Sequence, residues 1–368
     1  MTTAKSFVYF APTVAIDHIH KHRPYFEYPK AFSDAGYLST LIVGKLKTTI
    51  ISGIEIIETG HLDNGLIASL KTLPFAFKFI RRRKPTIFIF FHLSLPILLI
   101  SIFHKFISSR TSFFVKLDWD GTARNNKLLH LLKLFYVGFL TSIGFNIIVE
   151  NKCSLSKLVS FPVIRAKKIV LIRNSFAPDF IEMNSLEEIQ RSRVILVVSR
   201  ITSSKGGIED LIQAFSNLKE RKHGWTIRIV GPIIEHEYYN FLKKLINQYG
   251  LNDEILFIGP KYNEALKMEY MGASIFCLPS VFEGDPISRV EAIAFGLPLL
   301  ISEAGCGKDL SSFGSYVYSQ RNITELTVKL EELMNSELVR NKVARLQRKF
   351  IECYLGNYAE KINSYLKK

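Results

Sequence analysis

The residues best placed to do chemistry lie between 280 and 302, in SVFEGDPISRVEAIAFGLPLLIS. The segment follows the apolar run ASIFCLP, and Asp285-Pro286 has the composition of a helix start, with Asp as N-cap and Pro at the first helical position. Gly296 and Pro298 mark the end of that helix near Phe295. Such a loop-to-helix junction presents backbone N–H groups and the positive end of a helix dipole, which bind phosphate or sugar oxygens without a metal. Glu283 lies just before the helix and Glu291 about two turns inside it. One carboxylate can reach the reacting carbon of a sugar while the other accepts hydrogen bonds from ribose hydroxyls. A lone pair of glutamates at this spacing is ordinarily a solvated acidic helix face, but the strand, cap, Gly and Pro around this one argue for a site.

A second passage, VILVVSRITSSKGGIEDLIQAF at 194–215, reads as a strand, a loop carrying Arg200 and Lys205, the pair Gly206-Gly207, and a helix. Two fixed cations beside a helix start can neutralise a leaving diphosphate in place of a divalent metal. Gly231 and Gly259 end the apolar runs TIRIVG and EILFIG, with Lys261 just beyond the second.

With these residues in place, 283–302 resembles the E-x7-E signature of glycosyltransferase family four, from Glu283 to Glu291, followed by its A-x-G-x-P-x-x-x-S pattern at Ala294, Gly296, Pro298 and Ser302. Arg200 to Gly206 is similar to the family's R-x-x-x-x-K-G element. The resemblance implies the α/β architecture called GT-B, two Rossmann-like doubly wound domains facing a central cleft. It implies retaining transfer from a nucleoside-diphosphate sugar with no covalent enzyme intermediate, the departing phosphate helping to deprotonate the acceptor. No cofactor is implied beyond the nucleotide sugar, and no metal. It also implies that Glu283 is catalytic, and that Arg200, Lys205 and Gly206 hold the diphosphate. Glu283, Gly284, Asp285, Pro286, Ile287 and Glu291 would bind the donor sugar and ribose, and Gly231, Gly259 and Lys261 would lie near the base.

The resemblance covers roughly 168–310 well and the first half only in layout. Asn174, in KIVLIRNSF, stands where the family has a P-N-G strand end, with Arg and Ser in place of Pro and Gly. Where the family usually has a Gly-Gly loop, FAPTVAIDHIHKHRPYFEYPKAF has no glycine before Gly36. Where it often presents a His, VKLDWDG places Asp118. Asp118 is therefore the acceptor-side catalytic candidate, with Asp120, His18, His20, His92 and Asn174 as auxiliary candidates. Asp118-Trp119-Asp120 also reads as a D-x-D that could hold a divalent cation. That role would demand a single nucleotide-binding domain at the N-terminus, whereas the donor elements lie in the second half.

The elements that must position these residues repeat one unit: an apolar run of five to seven residues, a turn, and a helix-period stretch. The runs are SFVYFA, LSTLIVG, TIISGIEIIE, TIFIFF, SFFVKLD and FNIIVE, then VILVVSR, TIRIVG, EILFIG, ASIFCLPS and PLLIS. They predict an acceptor domain over 1–170, a donor domain over 171–352, and a helix in 353–368 able to cross back to the first. A chain of 368 residues suits two such cores.

The charge is uneven. Residues 1–170 hold 23 Lys and Arg against 9 Asp and Glu, while 171–368 hold 25 against 24, out of a total of +15. A basic half points to a polyanionic partner. LKTLPFAFKFIRRRK at 70–84 interleaves aromatics with cations, which suits anionic lipid, and no recognisable nucleic-acid module accompanies the charge. The expected partners are therefore a nucleotide sugar, a glycan or lipid-linked acceptor and an anionic membrane surface, with no nucleic acid. The expected location is cytoplasmic, peripheral on the inner face of the cell membrane. Thr86–Phe103 has no formal charge over 18 residues but contains His92 and Pro96, and reads as a buried strand, a turn and a packed helix rather than a membrane span. Cys153, Cys277, Cys306 and Cys353 read as scattered reduced thiols.

Overall fold

The structure, a computed structural model, describes residues 5–16, 24–46, 53–60, 71–107, 110–117, 127–174, 190–218, 224–351 and 358–367. The chain divides into unit 1, Met1–Asn174 with Gly356–Lys368, and unit 2, Ser175–Leu355.

Unit 1 alternates strands and helices: β1 (Ser6–Ile16), α1 (Pro24–Asp34), β2 (Leu38–Leu46), β3 (Ile54–Glu58), α2 (Leu73–Arg83), β4 (Ile87–Phe91), α3 (Leu95–Ile107), β5 (Ser112–Lys116), α4 (Lys127–Ser142), β6 (Asn146–Val149), α5 (Lys152–Val159) and β7 (Ile169–Leu171). The strands pair in parallel in the order β3-β2-β1-β4-β5-β6-β7. Parallel strands need a crossover between neighbours, so helices cover both faces and central strands lose their polar face. Ile87 to Phe90 of β4 are buried without interruption, which is why IFIFF shows no alternation. Phe88, Phe90, Phe113 and Phe145 form a connected set of rings on the face covered by α2, α3 and α4.

Unit 2 repeats the plan: β8 (Val194–Val198), α6 (Ile208–Asn217), β9 (Thr226–Val230), α7 (His236–Gln248), β10 (Ile255–Gly259), α8 (Asn263–Gly272), β11 (Ile275–Leu278), α9 (Ile287–Ala294), β12 (Leu299–Ser302), α10 (Lys308–Ser311), β13 (Tyr316–Tyr318), α11 (Ile323–Asn335) and α12 (Glu337–Ile351). Its parallel sheet runs β10-β9-β8-β11-β12-β13. After α12 the chain returns to unit 1, where α13 (Tyr358–Leu366) packs on α1 and Tyr358 stacks on Tyr28 with ring centroids 4.0 Å apart.

Both units are thus Rossmann-like doubly wound sheets, as the spacing of apolar runs predicts. In each, strand order reverses beside the first strand, between β1 and β4 and between β8 and β11. Loops leaving the carboxyl ends of strands at such a reversal diverge to opposite faces and leave a crevice for ligands.

Several details differ from the sequence reading. Of TIISGIEIIE only Ile54–Glu58 is strand among the described residues. β7 and β13 are three-residue edge strands, too short for periodicity to flag. Thr86–Phe103, by contrast, follows the sequence reading as β4, a turn at His92 and the start of α3, and among the described residues no helix is long and apolar enough to cross a membrane. Cys277 is a free buried thiol, but Cys153 is disulfide-bonded, so the expectation of four reduced thiols fails there.

Candidate active site

The loops after β8 and β11, the two strands at the reversal in unit 2, carry the residues singled out above. β8 delivers Arg200 and Lys205, and β11 delivers Glu283. The loops meet through the backbone, where Val281 N–H donates to the Lys205 carbonyl at 2.8 Å. They also meet through charge, with Lys205 Nζ lying 2.5 Å from Glu283 Oε2. Both side chains are largely buried, so the pair sits where water screens it weakly.

Two glycines let the loops approach. A Cβ on Gly207, whose φ is +86°, would lie 1.9 Å from the Pro279 carbonyl oxygen, closer than any side chain allows. A Cβ on Gly305 would meet the Gly284 carbonyl at 2.5 Å, so the turn at 304–307 can close over Glu283-Gly284 only without one. Ser302 Oγ ties the same turn to the β11 loop by donating to the Ser280 carbonyl and accepting from Ala304 N–H.

Helix α9 begins at Ile287 with Pro286 as its N-cap residue. The expected Asp cap is therefore corrected: Asp285 lies one residue outside, and the N-cap residue, Pro286, makes no side-chain cap hydrogen bond. The carboxylate turns instead to Arg289, whose Nη2 donates to Asp285 Oδ1 at 2.6 Å with side chains 2% and 0% exposed. A carboxylate at position i and a cation at i+4 face each other on one helix flank, and here both are shut away from water. The sequence reading placed Asp285 on the donor; its side chain is buried against Arg289. Glu291, a turn further on, accepts a hydrogen bond from Tyr270 Oη of α8 at 2.7 Å. Tyr270 is fixed by stacking on Phe295, ring centroids 5.2 Å apart.

Glu235, just before α7, holds the β8 loop. Its Oε2 accepts from Ser203 N–H at 2.8 Å, from Ser203 Oγ at 2.7 Å and from Thr202 Oγ1 at 3.2 Å. The Ser203 hydroxyl and N–H lower its carboxyl from the ordinary value. Beyond Gly206, Glu209 and Asp210 at the start of α6 pair with Arg321. Burial pushes the Glu209 carboxyl up, but hydrogen bonds from Tyr238 and Arg321 more than offset it and leave the value lowered.

Arg200 is exposed at the end of β8. Gly231 N–H donates to the Gly259 carbonyl at 3.0 Å, and a Cβ on Gly231 would fall 1.9 Å from the Ser199 carbonyl oxygen, so the glycine admits the strand end that carries Arg200. Lys261 is half-buried two residues past Gly259.

In unit 1, Asp118, Asp120, His18 and His20 lie outside the described residues. His92 follows β4 at φ +63°, its N–H donating to the Lys116 carbonyl at 3.0 Å. Asn174 is buried beyond the end of β7. At the carboxyl ends of β5 and β6 stands a pair the sequence reading passed over, Lys116 with Glu150, both almost completely buried. Its signal was present: a Lys closing SFFVK and a Glu closing FNIIVE are charges at the ends of buried strands. Glu235, Arg289, Tyr270 and Gly305 were also missed, since each acts through a partner distant in sequence or through a clash that only the fold creates.

Residues 179–350 match the family described as glycosyl transferases group 1. An uncharacterized glycosyltransferase of Haemophilus influenzae is 33% identical over 156 residues, 42% of each chain. The matched region thus spans less than half of that relative. Among solved structures, a glycosyltransferase from Rickettsia africae superposes with a TM-score of 0.75 at 15% identity, covering 99% of this chain and 98% of that one. Anabaena HepE in complex with UDP and glucose superposes with a TM-score of 0.70 at 15% identity, covering 99% and 100%. Unit 2 is thus similar to glycosyl transferases group 1 over residues 179–350, and the two Rossmann-like sheets share the GT-B fold with solved glycosyltransferases.

Proposed function

We propose that this protein is a retaining glycosyltransferase that moves a sugar from a nucleoside-diphosphate sugar to a glycan or lipid-linked acceptor at the cytoplasmic membrane face, without a catalytic metal. The observation that carries the reading is the meeting of Lys205 and Glu283 at the carboxyl edge of β8 and β11, where a doubly wound sheet binds nucleotides. HepE, which shares the fold, binds UDP and glucose.

In this reading the diphosphate takes Lys205 as its counter-ion, with Arg200 and the N-terminal end of α9 completing its cradle. Charge develops on the leaving phosphate as the bond from the sugar carbon to the phosphate oxygen breaks. A fixed ammonium stabilises that charge more in the transition state than in the ground state. The acceptor hydroxyl bonds to the same face of the sugar, and its proton passes to the departing phosphate oxygen. Glu283, released from Lys205, faces the donor sugar, and Glu291, aimed by Tyr270, accepts from the ribose hydroxyls.

Thermal unfolding with UDP, GDP, ADP and their sugar forms in EDTA tests this. A ligand at 100 times its Kd stabilises by about 2.7 kcal/mol, or roughly 5–10 °C for a unit of this size. One nucleotide should stabilise the protein, and Lys205→Ala and Glu291→Ala should each abolish the shift. Stabilisation that requires manganese or magnesium, or that survives both substitutions, would overturn the assignment.

A further inference from the structure

Among the described residues, unit 1 carries an outward apolar layer that its own packing uses only in part, Phe135 meeting Phe161 edge-on. Helices α2, α3 and α4 send their inner residues into one core on one face of the seven-stranded sheet. They lie side by side: α2 packs on α3, and Tyr136 Oη of α4 donates to the Ser94 carbonyl at the start of α3, 2.8 Å away. On the outer side of α4, Leu128, Leu132, Phe135 and Phe139 fall at i, i+4, i+7 and i+11, which makes one stripe along the helix. All four are exposed, Leu128 by 67% and Leu132 by 56%. A helix on a soluble surface puts polar residues there, and a contiguous apolar patch marks an interaction site. On α3, Ile102 and Phe103 are exposed as well.

The charges of this layer have one sign. Helix α2 exposes Lys78, Arg81 and Arg82, α4 exposes Lys127 and Lys133, and none of the three helices contains an Asp or Glu.

We propose that this three-helix face docks on the surface of an anionic lipid bilayer. The stripe of α4 enters the boundary between headgroups and acyl chains, and the cations of α2 lie at the level of the lipid phosphates. Charge complementarity selects this occupant. A second copy of the chain would bring two cationic layers together, and the three helices themselves offer no carboxylate to meet them. A nucleic acid would engage the cations and leave the Leu and Phe stripe in water. The inference deepens the reading above by giving its membrane partner a surface, and it rests on that reading only for its biological purpose. Its readout needs no nucleotide, so either can fail alone.

The test is co-flotation of the full chain with phosphatidylglycerol-containing vesicles and with pure phosphatidylcholine vesicles. Two variants accompany it, Leu128→Ser with Leu132→Ser, and Arg81→Gln with Arg82→Gln, each checked for fold by circular dichroism. Binding should be strong on the anionic vesicles and weak on the neutral ones. The arginine pair should lower it about 30-fold, since each cation near an anionic surface is worth roughly a factor of five. The leucine pair should lower it on the order of 100-fold, from two apolar side chains left unburied. Equal binding to both vesicle types, or wild-type binding by either variant, would overturn the proposal. So would a dimer in sedimentation that the serine pair disperses while no vesicle binding occurs. Should the serine pair unfold, the arginine pair and the loss of wild-type binding in high salt still decide.

Discussion

Replacing Asp285 by Ala removes one half of an ion pair that is 0% and 2% exposed, and leaves the Arg289 guanidinium at the foot of α9 without its carboxylate. Arg289 keeps a long contact to the Gly305 carbonyl, at 3.4 Å. A buried charge stripped of its partner costs about 3–5 kcal/mol, far more than an exposed pair, which is worth about 0–1 kcal/mol. For a unit the size of Ser175–Leu355, where about 1 kcal/mol shifts the midpoint by roughly 2–4 °C, the expected loss is about 6–20 °C. Adding Arg289→Met removes the orphaned charge and fills its volume with an apolar chain. The double variant should therefore recover at least about 2 kcal/mol relative to Asp285→Ala alone, because apolar replacement of a buried pair is often close to neutral. The two units need not unfold together, so the signal must come from unit 2. Trp225, buried there, supplies it in a Trp119→Phe background, read by fluorescence in urea. A single variant within about 1 kcal/mol of wild type, or a double variant no better than the single, would refute the argument that this pair anchors the loop.

Gly207→Ala should cost at least about 2 kcal/mol and abolish nucleotide stabilisation, since an L-residue at φ +86° is strained and its Cβ meets the Pro279 carbonyl oxygen. Gly250→Ala, at φ +64° with open space around it, supplies the control; equal losses in thermal unfolding would show that the close approach is irrelevant. Glu209 has its folded carboxyl below the ordinary 4.5, so its contribution is present above that value and lost as pH falls through the lowered one. Glu209→Gln should thus be less stable than wild type at neutral pH and lose less on acidification; parallel stability profiles between pH 6 and 3 would count against the Tyr238 and Arg321 contacts.

Much of unit 2's candidate site was legible because its residues are local in sequence. Glu283, Asp285, Glu291 and the Gly296-Pro298 stop lie on one strand, loop and helix, and a chain with that order of apolar run, breaker and helix period forms the junction wherever it sits. Lys205 and Gly206 were legible for the same reason. The cap at Asp285 was misplaced by one residue because Pro286 can serve either as first helical residue or as cap, and the choice follows from where the Asp side chain finds a partner. That partner, Arg289, is visible at i+4, but its burial is not.

The sequence by itself determined two doubly wound sheets, since unbroken apolar runs separated by helix-period stretches can satisfy their backbone groups and bury their side chains in few other ways. It also determined the positions along the chain of the carboxylates and cations proposed to hold the donor. Only the tertiary structure decided that Lys205 and Glu283, 78 residues apart, share an ion pair. It likewise decided that Tyr270 aims Glu291 and that Glu235 holds the Lys205 loop. Of the six leucines of α4 the fold turns four outward, Leu128, Leu129, Leu131 and Leu132. Periodicity reports which residues share a face of an element, while the neighbour that covers that face is chosen by the order of strands in the sheet.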